Sequence, residues 1–256
     1  HLDDAAWSCG GRIHQLAQAG EAVFSITIFA GSPSWPGENG PAAYSEYAAY
    51  LHQRWGTNTD AMAVRRVEDQ TAMGVLGSDF WHLSHLDCIY RQHPVTGEFL
   101  YRSNKDIFAE VHPIDFLLAA KVQAELTELI ASSKEATIYS PLGAGHHVDH
   151  QIVASAALGM SAAGYNVVFY QDYPYAEDPA ALTAAKLQMG REKWQPEFFT
   201  LSAQDLQTKI EAALCYRSQL DIFFDSDDDV SHRLRAYALT STSHPEPGEC
   251  IWHLTK

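Results

Sequence analysis

Apolar positions along the chain recur at two spacings, helical and extended, and segments of the two kinds alternate. Residues Ala5 to Ala19 carry Ile13, Leu16 and Ala17 at helical spacing. The apolar run Ala22 to Phe29 follows a Gly turn and reads as a strand ending at Ala30-Gly31-Ser32-Pro33. Helices are expected next over Ala42 to Trp55 and over Asp60 to Leu76, the second stopped by Gly77. Phe80 to Leu83 reads as a short strand, and the polar, aromatic-rich stretch from Ser84 to Lys105 as a functional loop. Helical periodicity is clearest from Ile114 to Ser132, with Pro113 at its start. A strand (Ala136 to Leu142), Gly143-Ala144-Gly145, a helix (His147 to Ala163) and a strand (Asn166 to Tyr170) follow. Helices are then expected over Ala180 to Met189 and Ala203 to Leu220, with short apolar pieces at Ala236 to Leu239 and Cys250 to Leu254.

This alternation implies an α/β fold: a doubly wound, mostly parallel Rossmann-like sheet flanked by helices. No repeat, low-complexity tract or linker interrupts it, so residues 1–256 read as a single domain. In such a sheet ligands sit at the carboxyl ends of strands, and chemistry belongs in the loops that follow them.

Composition narrows the partners. With 46% hydrophobic and 19% charged residues the chain is an ordinary globular one. No apolar run approaches the ~20 residues of a membrane span, and no basic, then apolar leader opens the sequence. A cytoplasmic protein without membrane attachment is the expectation. Seventeen basic against 32 acidic residues give a net charge of −15, which repels phosphate backbones and argues against nucleic acid. The acidic run Asp225 to Asp229 lacks EF-hand spacing and reads as a solvated loop. Cys9, Cys88, Cys215 and Cys250 form no CxxC pair and read as free thiols. Homo-oligomerisation is left open.

Two His/Asp clusters carry the candidate chemistry. One is His1-Leu2-Asp3-Asp4, followed by a helix that contains Gly10-Gly11; the other is His146-His147-Val148-Asp149-His150, between an apolar strand and a helix. A hydrolytic zinc takes three protein ligands and leaves a position for water. His1 and Asp4 are three apart and can face one point, as can His147 and His150. Each cluster alone has a bland reading, since Asp caps helices and His is common in loops. Together, each with a helix following, they point to a metal. No GxGxxG follows a strand, which disfavours a dinucleotide site.

The sequence resembles the PIG-L/LmbE-like zinc de-N-acetylases. HLDDAAWSCGG matches their HPDD…GG motif with Leu2 in place of Pro, and His147-Val148-Asp149-His150 matches their HxDH. Arg65 to Gly77, Leu86 to Arg91, Tyr170 to Tyr175 and the segment holding Lys209, Tyr216, Ser218 and Gln219 resemble further segments of the family. In that family a strand leads into the first motif, and this strand is missing ahead of His1. The resemblance implies His1, Asp4 and His150 as ligands of one Zn2+, with other divalent metals such as Fe2+ open. It implies Asp3 as base for a zinc-activated water, and His147 as oxyanion stabiliser or acid, oriented by Asp149. Arg65 and Asp87 would bind sugar hydroxyls. His146 beside His147 leaves two registers, of which His147/His150 matches HxDH. The implied reaction removes the N-acetyl group of an N-acetylglucosamine-type sugar or its glycoside, a small soluble substrate. Another amide or carbamoyl substrate, or a non-catalytic sugar-binding role, stays open. Trp35, Trp55, Trp81, Tyr90 and the loop after Ser84 are candidates for a sugar-stacking wall, although aromatics at such positions more often fill a core.

Overall fold

The computed structural model describes residues 1–33, 44–57, 60–190, 194–240 and 246–255. Along the chain run α1 (Asp4–Gln18), β1 (Phe24–Thr27), α2 (Glu46–Arg54), α3 (Ala61–Leu76), β2 (Asp79–His82), α4 (Asn104–Ile107), α5 (Leu118–Leu129) and β3 (Thr137–Pro141). They are followed by α6 (Val148–Ala162), β4 (Asn166–Tyr170), α7 (Pro179–Gln188), β5 (Trp194–Thr200), α8 (Ala203–Ala213), α9 (Arg217–Phe223), α10 (Asp227–Thr240) and β6 (Gly248–Leu254). Two compact units result: His1–Asn104 with Phe199–Glu249, and Lys105–Phe198 with Cys250–Lys256.

In the first unit α1 is buried on almost every side, from Ala6 through Gly11 and again at Ile13 and His14. Past Ala5 only Arg12 and the residues from Gln15 on reach water, so neighbours must meet most of its groups. Small residues let them come close. A Cβ on Gly10 would lie 3.0 Å from Lys209 Cγ of α8, and one on Gly11 only 2.5 Å from Leu201 Cδ1. Trp7 fills the other side, edge-on to Tyr216, Phe223 and Phe224. A buried ion pair grips the middle of α1. Lys209 Nζ donates to Glu249 Oε1 at 2.6 Å and to the Ser8 carbonyl at 3.2 Å. Glu249 in turn accepts the Gly11 N–H at 3.0 Å and the Arg12 N–H at 2.8 Å.

Local signals set the remaining elements of this unit. Asp60 caps α3 by accepting the Ala63 N–H, and Gly77 ends it in the left-handed conformation (φ 77°). β1 and β2 pair in parallel, Phe24 against Asp79 through Thr27 against His82. In the second unit the sheet order is β3-β4-β6-β5. β3 and β4 are parallel, Thr137 against Asn166 through Pro141 against Tyr170, and β6 runs antiparallel to β4.

Several sequence expectations need correction. The single helix over Ala203 to Leu220 is two, because Tyr216 leaves helical geometry and sends its hydroxyl 2.7 Å from Asp69 Oδ1. Glu68 then caps α9, accepting the Ser218 N–H at 2.8 Å. The helix over Ile114 to Ser132 begins as a separate 3-10 turn, Pro113–Asp115, capped by His112. Asp227, Asp228 and Asp229 are the first turn of α10 rather than a loop, at the end where the helix dipole favours negative charge. Ala236 to Leu239 lies inside α10. β5 was not foreseen: it is largely exposed and contains Pro196, both marks of an edge strand. Part of the expected helix from Ala42 falls outside the described residues; the rest is α2. All four cysteines are free thiols, three of them buried. Among the described residues no helix is long and apolar enough to cross a membrane.

α8 opens with a reciprocal capping box, Ser202 and Asp205, and Asp205 also receives His14 Nδ1 at 2.7 Å and Gln15 Nε2 at 3.2 Å. Burial pushes the Asp205 carboxyl up, but these hydrogen bonds outweigh it and hold the group below the usual carboxylate range. Its contribution is therefore complete above its unfolded pKa near ~4 and is lost as pH falls through the lower folded value. We expect Asp205→Ala to cost about 1–2 kcal/mol in urea unfolding at neutral pH, with the gap to wild type closing in acid. A gap independent of pH would remove this carboxylate from the stability of α8.

Candidate functional site

The first motif sits at the N-terminus of α1. Asp3 is the residue before the helix, 6% exposed, and its carboxylate makes no cap bond to the backbone. Arg65, projecting inward from α3, donates through Nη2 to Asp3 Oδ1 at 3.3 Å and holds Nη1 3.8 Å from Asp87 Oδ2. Asp87 lies in the loop after β2, where it caps a 3-10 turn by accepting the Ile89 N–H, and its Oδ2 is 3.7 Å from His1 Nε2. His1, Asp3, Arg65 and Asp87 thus form one cluster. Asp4 follows as the first residue of α1.

Burial dominates the electrostatics here. It raises the Asp3 carboxyl, with Asp4 adding to the rise, and the Arg65 guanidinium only partly offsets it. Burial also works against the charge on Arg65, but Asp3 and Asp87 outweigh it and keep the guanidinium protonated. One turn along α3, Asp69 is raised by burial although His82 at 2.6 Å and the Tyr216 hydroxyl at 2.7 Å hydrogen-bond to it.

The second motif opens α6, in the loop after β3. His147 is the N-cap residue, and its Nδ1 accepts the Asp149 backbone N–H at 3.3 Å. A ring that accepts at Nδ1 carries its proton on Nε2, which makes Nε2 a donor. His150 sits in the first turn, 3% exposed, with Nδ1 2.8 Å from Asp172 Oδ1. The other oxygen of Asp172 accepts the N–H groups of Gly143 and Ala144 at 2.9 and 3.0 Å. An imidazole that donates from Nδ1 to a carboxylate keeps its lone pair on Nε2, the arrangement usual for a metal-ligating histidine. Asp149 is itself buried to 1%.

His146 and His147 differ in direction. His146 has a left-handed backbone (φ 63°) and turns outward, its ring nitrogens 3.0 Å from Gln188 Oε1 and 3.3 Å from Glu110 Oε1. His147 and His150 face each other, ring centroids 5.4 Å apart. Two aromatic rings flank them: Phe108 meets His147 at 5.4 Å and Tyr175 meets His150 at 5.9 Å, both edge-on. Trp55 and Tyr90 do not form a sugar wall. Both are core residues, Trp55 under the Arg65 guanidinium at 5.0 Å and Tyr90 bonded to His52 at 2.6 Å. Trp81 is half-exposed on β2, and Trp35 lies outside the described residues.

Sequence reasoning gave Asp172 no role. Its only signal was the stretch Tyr170 to Tyr175, noticed as a family-like segment without an assignment. Phe108 and Tyr175 carried no signal of their own.

The family model for PIG-L, GlcNAc-PI de-N-acetylase, matches residues 1–161. The 2'-N-acetylparomamine deacetylase of Niallia circulans is 30% identical over 183 residues, 68% of this chain. That stretch spans 65% of the relative's own length. Among solved structures, the zinc-inhibited form of teicoplanin deacetylase Orf2 superimposes with a TM-score of 0.81 at 26% identity, covering 98% of this chain and 94% of that one. The A40926 pseudoaglycone deacetylase Dbv21 gives a TM-score of 0.74 at 25% identity, covering 100% and 94%.

Asp172 tests the reading of the second motif. Asp172→Ala removes the partner of His150 Nδ1 and of two loop amides at once. We expect divalent-metal affinity, measured by competition with a chromophoric chelator, to fall about 10- to 100-fold. Unchanged affinity would mean that His150 needs no brace.

Proposed function

Because the chain belongs to the PIG-L family of GlcNAc-PI de-N-acetylases, we propose that it hydrolyses the acetamide of an N-acetylated amino-sugar glycoside with the help of one divalent metal, zinc in the first instance. The observation that carries this is the Asp172-braced His150 inside an HxDH motif, in a chain that also opens an α-helix with HxDD. The donor chemistry fits such a metal: imidazole and carboxylate, with no thiolate required. We assign His1 and Asp4 of the first motif and His150 of the second as the residues that would hold it. When bound, the metal supplies Lewis acidity, polarising the amide carbonyl and lowering the pKa of a water toward ~7.

The other residues supply proton transfer and positioning. Asp3 accepts a proton as water adds to the acetamide carbon; its burial raises its proton affinity toward the range useful for a base. Arg65 holds Asp3 through its Nη2. The oxygen that gains negative charge takes a hydrogen bond from Nε2–H of His147, whose tautomer is held by the Asp149 N–H at Nδ1. The C–N bond then breaks, and the nitrogen leaves with the proton carried by Asp3. The products are acetate and a free amino sugar. Arg65 and Asp87 offer a donor and an acceptor to sugar hydroxyls. Phe108 and Tyr175 give the substrate an apolar surface beside the histidines.

Support for the substrate class comes from relatives named for paromamine, teicoplanin and A40926 pseudoaglycone substrates. The net charge of −15 disfavours polyanions and fits a small glycoside. The test is acetate release from a panel of N-acetylglucosaminyl and N-acetylated aminoglycoside substrates. Activity should vanish with chelator and return with one equivalent of zinc. Asp3→Asn should bind metal normally and lose about 10²- to 10⁴-fold in kcat, the range of a positioned base. A near-normal rate for Asp3→Asn would sink the role given to this carboxylate.

A further inference from the structure

We propose that the buried Lys209–Glu249 ion pair is a positioning device for the first motif, setting the axial advance and rotation of α1, and that Gly10-Gly11 is there to admit it. The inference rests on the function proposed above only for its effect on turnover. Its structural content stands apart.

The geometry is specific. In a regular helix the Ser8 carbonyl and the Arg12 N–H are i, i+4 partners. Here each also has a partner in the pair, Lys209 Nζ on the carbonyl and Glu249 Oε2 on the amide, while Glu249 Oε1 takes the Gly11 N–H. The grip falls one turn beyond Asp4. It joins α1 to α8 through Lys209 and to the start of β6 through Glu249. Both side chains are almost wholly buried, at 3% and 6% exposure.

Adhesion does not explain this arrangement. Two buried charges lose more hydration than their attraction returns, and apolar side chains of the same volume usually pack in their place without loss. α1 already has apolar contact through Trp7 and its aromatic neighbours. What that contact lacks is direction. A helix face built of Gly10 and Gly11 presents no ridge to lock into a groove, so apolar packing alone leaves it free to slide or turn. Hydrogen bonds remove that freedom: His14 and Gln15 bond to Asp205 towards the far end of α1, and the ion pair fixes named backbone atoms in the turn nearest the first motif. The glycines permit the close approach: a Cβ on Gly10 would lie 3.0 Å from Lys209 Cγ, and one on Gly11 would meet Leu201 Cδ1 at 2.5 Å and Glu249 Oε1 at 3.2 Å.

The deciding experiment is the double variant Lys209→Met/Glu249→Leu, beside the milder Lys209→Met, which leaves Glu249 bonded to both amides. The single variant should unfold at lower denaturant concentration, and the double should recover wild-type stability because no charge is stranded. Turnover should not recover. We expect kcat for acetate release to fall about 10- to 100-fold, the cost of a displacement on the order of 1 Å, with metal affinity weakened and KM little changed. In its crystal structure α1 should be shifted so that Asp3 has left Arg65. A folded double variant with wild-type kcat and metal affinity overturns the proposal. So does an α1 that superimposes on wild type, whatever the enzyme does. If the double variant fails to fold, Lys209→Met with unaltered kcat, metal affinity and Asp3–Arg65 contact overturns it equally. Failure of the functional reading shows differently: the wild-type protein would then release no acetate from any substrate.

Discussion

A helix buried over most of its surface that must yet present polar chemistry at its first residues is the constraint that orders the first unit. Amphipathicity sets only the partly exposed side of α1, where Arg12, Gln15 and Gln18 lie. Each of its other sides is assigned to a different neighbour. Trp7 meets the rings of α9 and the residue after it, the glycines meet α8, and Asp3 meets Arg65 of α3. Tyr216 belongs to this scheme too, because its turn away from helical geometry lets it reach Asp69 and Trp7 together.

The second unit solves a related problem by other means. α6 also begins with a His/Asp motif, but here the loop before it is held by Asp172, a single carboxylate with three donors. In both units the motif stands at a helix N-terminus, where the backbone dipole favours negative charge. Carboxylates can then be buried at these positions at lower cost, and the rise in the proton affinity of Asp3 shows what cost remains.

What the sequence disclosed and what it hid divide by range of interaction. α1, α3, α6 and β4 were legible because their signals are local: periodicity, Asp60 and Gly77 at the ends of α3, an apolar run before a polar turn. The two motifs were legible because their residues are adjacent in the chain. The break between α8 and α9 was not, since it depends on Asp69 and Glu68, far away in sequence. Asp172 was hidden for the same reason, 22 residues from its histidine. Trp55 and Tyr90 stayed ambiguous because an aromatic side chain reads alike whether it stacks on a sugar or fills a core; burial beside Arg65 and His52 places them in the core. The loop after Ser84 carries Asp87, which lies with His1 and Arg65.

Asp172 has one more consequence, for the fidelity of assembly. It follows β4, while the amides it accepts follow β3, and the two strands meet with Pro141 opposite Tyr170. A slip of one residue between them would move the carboxylate by about 3.3 Å and turn its strand neighbours to the opposite face. No single rotamer change could then satisfy both the loop and His150. The imidazole brace therefore works as a gauge of strand alignment: a molecule whose sheet has closed one notch out lacks it, and a molecule that has it has its sheet in step.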